Sequence, residues 1–349
     1  MKKLFSVLFV FVVLVFVACG EKNKEDVPKV DAELYNYDST EFKTEPITDN
    51  STFELGYRFE KGEKILYRLV SISETSQKVV ADTTITNNVK QEIIYLIEFE
   101  PKATETDGTV EAEVKIVGLK LNANVNGEIM TYDAVNDKDS LQIQRYAEFA
   151  SMWNNPFSIR FTKYGEISEI FRVDKISNKF LKLRNADSVD VQTKTMVKDD
   201  MVNSVLKPLM GQLIRKVTNK VLAVDSSWTA PQPPVPMMVF QINYTNKYKV
   251  IGMEKLNDNK LVVLDAGMDY FVEGQTKISE RGVNYNFSKP VSKGEGKIYF
   301  DISNGRIQKS KTTSSTSFSF TMEADTPQGR QKGKREEFVS NTNILELIK

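Results

Sequence analysis

The chain contains no histidine, and among its 349 residues Cys19 is the only cysteine. The first absence excludes Ser-His-Asp and Cys-His relays, together with every histidine-ligated metal site. The second rules out an intrachain disulfide, so stability has to come from burial alone. Neither sign of charge is in surplus, since 47 basic residues face 47 acidic ones. Nucleic acid demands a basic footprint, which this balance does not supply. After the first twenty residues no apolar run approaches membrane-spanning length. A phosphate-cradling glycine loop is missing too, because Gly294-Glu295-Gly296 opens a strand and offers no helix amides. No cofactor and no metal is expected.

What is present begins at the N-terminus. Lys2 and Lys3 precede the apolar run Leu4–Val17, and Ala18 precedes Cys19, which is the order of a secretory signal. At about 1.5 Å per residue the run reaches roughly two thirds of a ~30 Å hydrocarbon core, too short for a permanent span. The stretch Phe16-Val17-Ala18-Cys19 resembles the lipobox of bacterial lipoprotein precursors, in which the cysteine is acylated and becomes the first residue; Phe16 stands where leucine is usual. The resemblance implies lipidation at Cys19 and anchoring at the outer membrane, on its periplasmic or its surface face, with the bilayer engaged through lipid. Acyl chains contribute about 0.8 kcal/mol per buried methylene, so three of them hold a protein durably.

The remainder is ordinary globular material, 40% hydrophobic and 27% charged. Five segments are expected: a signal peptide over 1–18, a lipid anchor and flexible tether over 19–50, an antiparallel β region over 51–139, a helical and mixed region over 140–228, and a second antiparallel β region over 229–349. The tether is polar, and its pair Glu25-Asp26 resembles the charged export tags of some Gram-negative lipoproteins, while equally suiting a solvated linker. Phe53, Leu55, Tyr57 and Phe59 alternate, as do Val89 to Phe99 and Val110 to Ile116, the period of a strand with one buried face. After Gly118 the phase slips to Leu119, Leu121, Ala123 and Val125, which predicts a bulge at the glycine. Asn126-Gly127 predicts a type I′ turn.

In the middle, Leu141–Trp153 reads as a helix and Phe157–Val173 as a hairpin turning at Tyr164-Gly165. Val202, Val205, Leu206, Leu209, Leu213, Val217 and Val221 form one stripe of a helix over 189–221, kinked at Pro208. Pro231 to Pro236 should be extended and unpaired. Strands resume at Phe240, with turns at 257–259 and Asn304-Gly305, Phe318 and Phe320 facing inward, and a last strand or capping helix over 330–348. The fold class is therefore mainly β (α+β): two antiparallel β regions, one arrangement being a single curved half-barrel-like sheet, with a helical insertion packed against them.

Lys61-Gly62-Glu63-Lys64 with Tyr67, then Asp225-Ser226-Ser227-Trp228, then Gly294-Glu295-Gly296-Lys297 leading to Phe300-Asp301 and Asn304-Gly305-Arg306, resemble a family of exported bacterial proteins of unknown function, DUF6263. The resemblance covers most of Tyr57 to Lys349. It implies a β-rich, exported protein and carries over no functional residue.

Without histidine, paired carboxylates are the remaining catalytic option. Asp199-Asp200 and Glu336-Glu337 are adjacent, and neighbours on a helix or strand do not face one substrate as glycoside hydrolysis requires. Asp133, Asn136, Asp137 and Asp139 are oxygen-rich but lack the glycine and terminal glutamate of a calcium loop. An enzyme is not expected. Two roles remain: a non-enzymatic binding or structural module for a protein or glycan, or a carrier of a lipid or acyl chain in a β cavity closed by the helix over 189–221. Trp228, Met237 and Met238, beside the proline segment, are the candidate ligand contacts, against the plainer reading of a crossover between β regions. The protein should be a monomer.

Overall fold

A computed structural model describes residues 30–39, 42–49, 51–326 and 329–349. Two short strands, β1 (Glu45–Ile47) and β2 (Phe53–Glu54), precede a meander of β3 (Ile65–Val80), β4 (Thr84–Thr104), β5 (Val110–Val125) and β6 (Glu128–Asp133). Helices α1 (Ser140–Arg145) and α2 (Ala147–Met152) lead to the hairpin β7 (Phe157–Phe161) and β8 (Ile167–Phe171). Then come α3 (Asp174–Leu183), α4 (Val191–Asp200), a π-helical segment Met201–Leu206 and α5 (Lys207–Leu213). The C-terminal strands are β9 (Val221–Leu222), β10 (Ser227–Pro231), β11 (Val235–Met237), β12 (Phe240–Leu256), β13 (Asn259–Gly274), β14 (Lys277–Glu280), β15 (Val283–Phe287), β16 (Val291–Asp301), β17 (Arg306–Thr326) and β18 (Gly329–Leu347).

The two β regions are one sheet, ordered β1-β12-β13-β16-β17-β18-β3-β4-β5-β7-β8. The segment left open as strand or helix is the strand that joins them. On one side β18 pairs with β17, and on the other Lys334–Leu347 runs antiparallel to Tyr67–Val80 of β3. The sheet curls. From β16 to β7 there are six inter-strand steps, roughly 29 Å if the sheet were flat. Yet Phe300 of β16 and Phe161 of β7 lie 5.5 Å and 6.0 Å from the same ring, Tyr57. The two flanks therefore face each other across the segment that carries Tyr57, and the sheet is a half-barrel with a concave face.

One end of that concave face is the core. Tyr67, Leu69, Tyr95, Ile97, Phe99, Val114, Ile116, Phe300 and Leu345 are buried there with Leu206, Leu209, Met210 and Leu213 of the insertion. Full burial of each such side chain contributes about 1.5–3 kcal/mol. The expected bulge is present: Leu96 pairs with Gly118 and Ile97 with Ile116, so Val117 is the extra residue. The slip keeps both Ile116 and Leu119 in the core, and Trp153 Nε1 donates to the Val117 carbonyl at 3.2 Å. Asn126 (φ 54°) and Gly127 (φ 97°) form the expected hairpin turn.

Several expectations are corrected. The helix read over 189–221 ends at Leu213. In a continuing helix the Arg215 N–H would bond the Gly211 carbonyl, but it donates to the Tyr57 hydroxyl at 2.8 Å instead, and Val217 and Val221 lie beyond the turn. Pro208 lacks the N–H a regular helix needs, and a π-turn, with Lys207 N–H on the Val202 carbonyl, takes up the mismatch. The proline segment is not unpaired: Pro231 pairs with Thr245 and Pro236 with Gln241 on the edge of β12, where a missing donor costs little. Phe53–Phe59 alternates in burial, Leu55 and Tyr57 being buried, but only Phe53–Glu54 is strand.

The tether expected over 19–50 does not run as far as residue 50. Residues 30–39 and 42–49 lie on the convex face: Tyr35 is buried with Val70, Ile94, Leu96 and Ile344, and β1 pairs with β12. Arg68 ties this strap down by donating to the Leu34 and Asn36 carbonyls while pairing with Glu346. The sequence reading also passed over α3, although Ile176, Phe180 and Leu183 have helical spacing, and Ile176 is fully buried.

A polar groove on the concave face

Past the helical cover, the concave face changes chemistry along the strands. On β3, residues on the same side as buried Leu69 are Ser71, Ser73, Thr75 and Gln77, and opposite them on β18 stand Asn343, Asn341, Val339 and Glu337. On β17 the row continues with Thr312, Ser314 and Thr316. Apart from Val339 these side chains can hydrogen-bond, and most are half-buried. Tyr244 on β12 joins them through Ser292, its hydroxyl 3.2 Å from Ser292 Oγ, which lies 2.9 Å from Thr316 Oγ1.

A groove of about 600 Å³ runs between this row and the insertion. Its walls are Gln212 and Arg215 at the end of α5, Thr312 and Asn343 on the sheet, Tyr244 and Tyr248 on β12, and a rim of Pro233, Pro234 and Pro236. Arg215 is half-buried. Its Nη2 donates to Gln212 Oε1 at 2.6 Å and to Thr312 Oγ1 at 3.1 Å, and its guanidinium lies against the Tyr248 hydroxyl. Burial lowers the pKa of Arg215 from the usual arginine value, although guanidinium stays charged at any working pH. No sequence signal marked this residue.

A second groove, of about 1050 Å³, follows the open seam where the two flanks of the half-barrel approach. The β7–β8 turn supplies Tyr164 and Glu166, the loop after α5 supplies Lys216 and Lys220, and the other flank supplies Trp228, Tyr248 and Lys249. Its charges are largely paired, Lys216 with Glu166 at 3.1 Å and Lys249 with Asp225 at 2.8 Å. Such exposed pairs contribute little to stability.

Of the candidate contacts, Trp228 lines the seam groove and stacks on Tyr248, ring centroids 5.1 Å apart. Met237 packs with Phe240, Ile242 and Phe320 in a separate apolar cluster, and Met238 is 52% exposed. The three do not share one surface. Cys19 lies outside the described residues. The helix stripe expected to roof a cavity instead fills the space, Leu206 and Leu213 being fully buried among sheet residues.

The candidate carboxylates are scattered. Asp199 and Asp200 are exposed on α4, while Glu336 pairs with Lys334 at 2.5 Å and Glu337 with Arg335 at 2.6 Å on opposite faces of β18. Asp133 spends its oxygens on the Val135 and Asn136 amides of its own turn. Among the described residues there is no cluster of three metal-ligating side chains, and no helix is long and apolar enough to cross a membrane.

No curated protein sequence matches this chain. Among solved structures, "Lipid-protein interactions in lipovitellin" is similar over 84% of this chain and 26% of that one, at 10% identity and a TM-score of 0.44. The chain thus spans about a quarter of the length of that protein. The COG4313 outer membrane channel of Pseudomonas putida F1 is similar over 84% of this chain and 97% of the channel, at 7% identity and a TM-score of 0.19. OccK7 (OpdD) of Pseudomonas aeruginosa follows at 4% identity and 0.19, covering 82% and 100%. The motifs at Asp225–Trp228 and Gly294–Arg306 fall within the matched part of a family model, whereas Lys61–Lys64 lies before it. Residues 107–307 match the model described as a family of unknown function (DUF6263), and the chain belongs to that family.

Proposed function

We propose that this protein is a non-enzymatic binding module of the bacterial cell envelope, held at the outer membrane by acylated Cys19, and that its concave groove takes a hydroxyl-rich ligand, a glycan. One observation carries the reading. A sheet face enclosed on two sides would ordinarily complete its core with apolar side chains, yet here, Val339 and Glu337 apart, it presents a row of serine, threonine, asparagine and glutamine beside a groove of about 600 Å³. Donors and acceptors lining a concavity are the equipment for binding polyhydroxylated molecules through many hydrogen bonds, each contributing about 0.5–1.5 kcal/mol. The missing histidines and the scattered carboxylates support a role without chemistry.

Native mass spectrometry of the full chain carrying Cys19→Ser tests the groove. A co-purified or added oligosaccharide adduct supports this reading, and a co-purified lipid would replace it with the hydrophobic-carrier reading. Fractionation tests the anchor, since Cys19→Ser should leave the membrane fraction and lose its fatty acid label. Retention in membranes would refute lipid anchoring.

A further inference from the structure

Five arginines are buried or half-buried: Arg68, Arg160, Arg215, Arg306 and Arg335. Four of them face a carboxylate, Arg68 on Glu346, Arg160 on Glu111 and Glu169, Arg306 on Glu63 and Arg335 on Glu337. Among the described residues Arg215 has no carboxylate within ion-pair distance. It is also the one of the five that lines the groove.

We infer that Arg215 anchors one acidic group of the groove's ligand, a carboxylate or phosphate borne on a sugar. The inference rests on the glycan reading above and narrows it to acidic glycans. Three features support it. First, the position is fixed from both sides, because the Arg215 N–H donates to the Tyr57 hydroxyl at 2.8 Å and the same hydroxyl donates to the Arg215 carbonyl at 3.1 Å. A donor held in place before binding loses little freedom when the ligand arrives. Second, the guanidinium has donors to spare: it carries five N–H groups in a rigid fork, and Nη2 donates to two neutral oxygens, Gln212 Oε1 and Thr312 Oγ1, while Nε is buried with no protein partner. Third, a half-buried cation whose hydrogen-bond partners are a neutral amide and a hydroxyl carries a desolvation cost that an incoming anion offsets. The neighbouring Gln212, Thr312, Tyr248 and Asn343 then serve the hydroxyls flanking the acid.

The test is titration calorimetry on the full-length protein purified from membranes in detergent. The probes are oligogalacturonate for the carboxylate, mannose 6-phosphate for the phosphate, inorganic phosphate, and a malto-oligosaccharide as the neutral control. The expected result is binding of at least one acidic sugar at least tenfold tighter than the neutral one, with the preferred acid identifying the source. Arg215→Gln should abolish that preference. Because this variant also loses contacts to the fold, Gln212→Glu is the second arm. It places a carboxylate against the guanidinium, keeps the fold, and should weaken the acidic probe at least tenfold more than the neutral one. Equal binding of acidic and neutral sugars, or indifference of the acidic probe to Gln212→Glu, overturns the assignment of Arg215 and leaves the glycan groove standing. If inorganic phosphate alone binds as tightly as the sugar acids, the site is a simple anion site and the inference fails. Binding of none of the probes overturns both.

Discussion

Arg306 grips Glu63 with both prongs of its guanidinium, Nη1 to Oε1 at 2.7 Å and Nη2 to Oε2 at 3.1 Å. The pair joins the Lys61–Lys64 turn to the Asn304–Arg306 turn, two of the segments on which the family resemblance was read. Turn chemistry that looked like punctuation in the sequence is a clasp between the segment before β3 and the start of β17.

Breaking that clasp should be costly. Arg306 is nearly buried and the pair is bidentate, so Glu63→Ala should destabilise the protein by about 2 kcal/mol, within the range for charged hydrogen bonds. Urea titration of Glu63→Ala, Arg306→Ala and the double variant measures it. A double variant whose loss equals the sum of the singles would show that the two groups do not interact.

The glycine of the bulge should tolerate no side chain. A Cβ at Gly118 would lie 2.4 Å from the Tyr35 hydroxyl and 2.9 Å from Leu96 Cδ1. Gly118→Ala should therefore cost about 1–3 kcal/mol through overpacking. The strain should express itself in the strap, because Tyr35 is the side chain displaced. Faster proteolytic cleavage within residues 30–49 of the variant is the expected sign.

The insertion should be sensitive on one side only. Leu213 is fully buried and Met196 is 56% exposed. Leu213→Ala should cost about 3 kcal/mol by leaving a cavity, and Met196→Ala should stay within about 0.5 kcal/mol of the parent. Equal midpoints for the two variants would mean that the stripe does not pack as described.

Alkaline pH should unfold the protein through its tyrosines. Burial raises the phenols of Tyr35, Tyr57, Tyr67 and Tyr95 well above their ordinary value, and burial followed by the Glu92 hydrogen bond pushes Tyr37 up to about 12. The unfolded chain releases these protons near pH 10 while the native protein holds them. Stability is thus fully present below about pH 10 and falls as pH rises from there through the native values. Tyrosinate absorbance and far-ultraviolet circular dichroism, recorded together from pH 9 to 12.5, should change at the same pH. Ionisation of the buried phenols with the fold intact would contradict the burial described here.

Local features of the fold were legible in the sequence. The one-residue slip at Gly118, the Asn126-Gly127 turn and the Phe157–Val173 hairpin are encoded by neighbours within a few residues, where period and turn chemistry act. The identity of residues 329–347 as the joining strand was not legible, because pairing with β3 depends on residues more than 250 positions away and no local rule reports it. The end of the helix at Leu213 escaped for the same reason, since it is set by a hydroxyl on Tyr57. Arg215 is the clearest case. Between Ile214 and Lys216 it is an unremarked basic residue, and its interest comes from the carboxylate it lacks in three dimensions.

The placement of β18 between β17 and β3 has a consequence for how the molecule is made. As the polypeptide emerges, β3 and β17 each present a bare ladder of amide and carbonyl groups, and neither is satisfied until Gly329–Leu347 slots in between them. Every earlier stage of synthesis therefore carries two sticky rims. Until Gly329–Leu347 has been made and inserted, those rims stay open to pairing with a second copy of the chain.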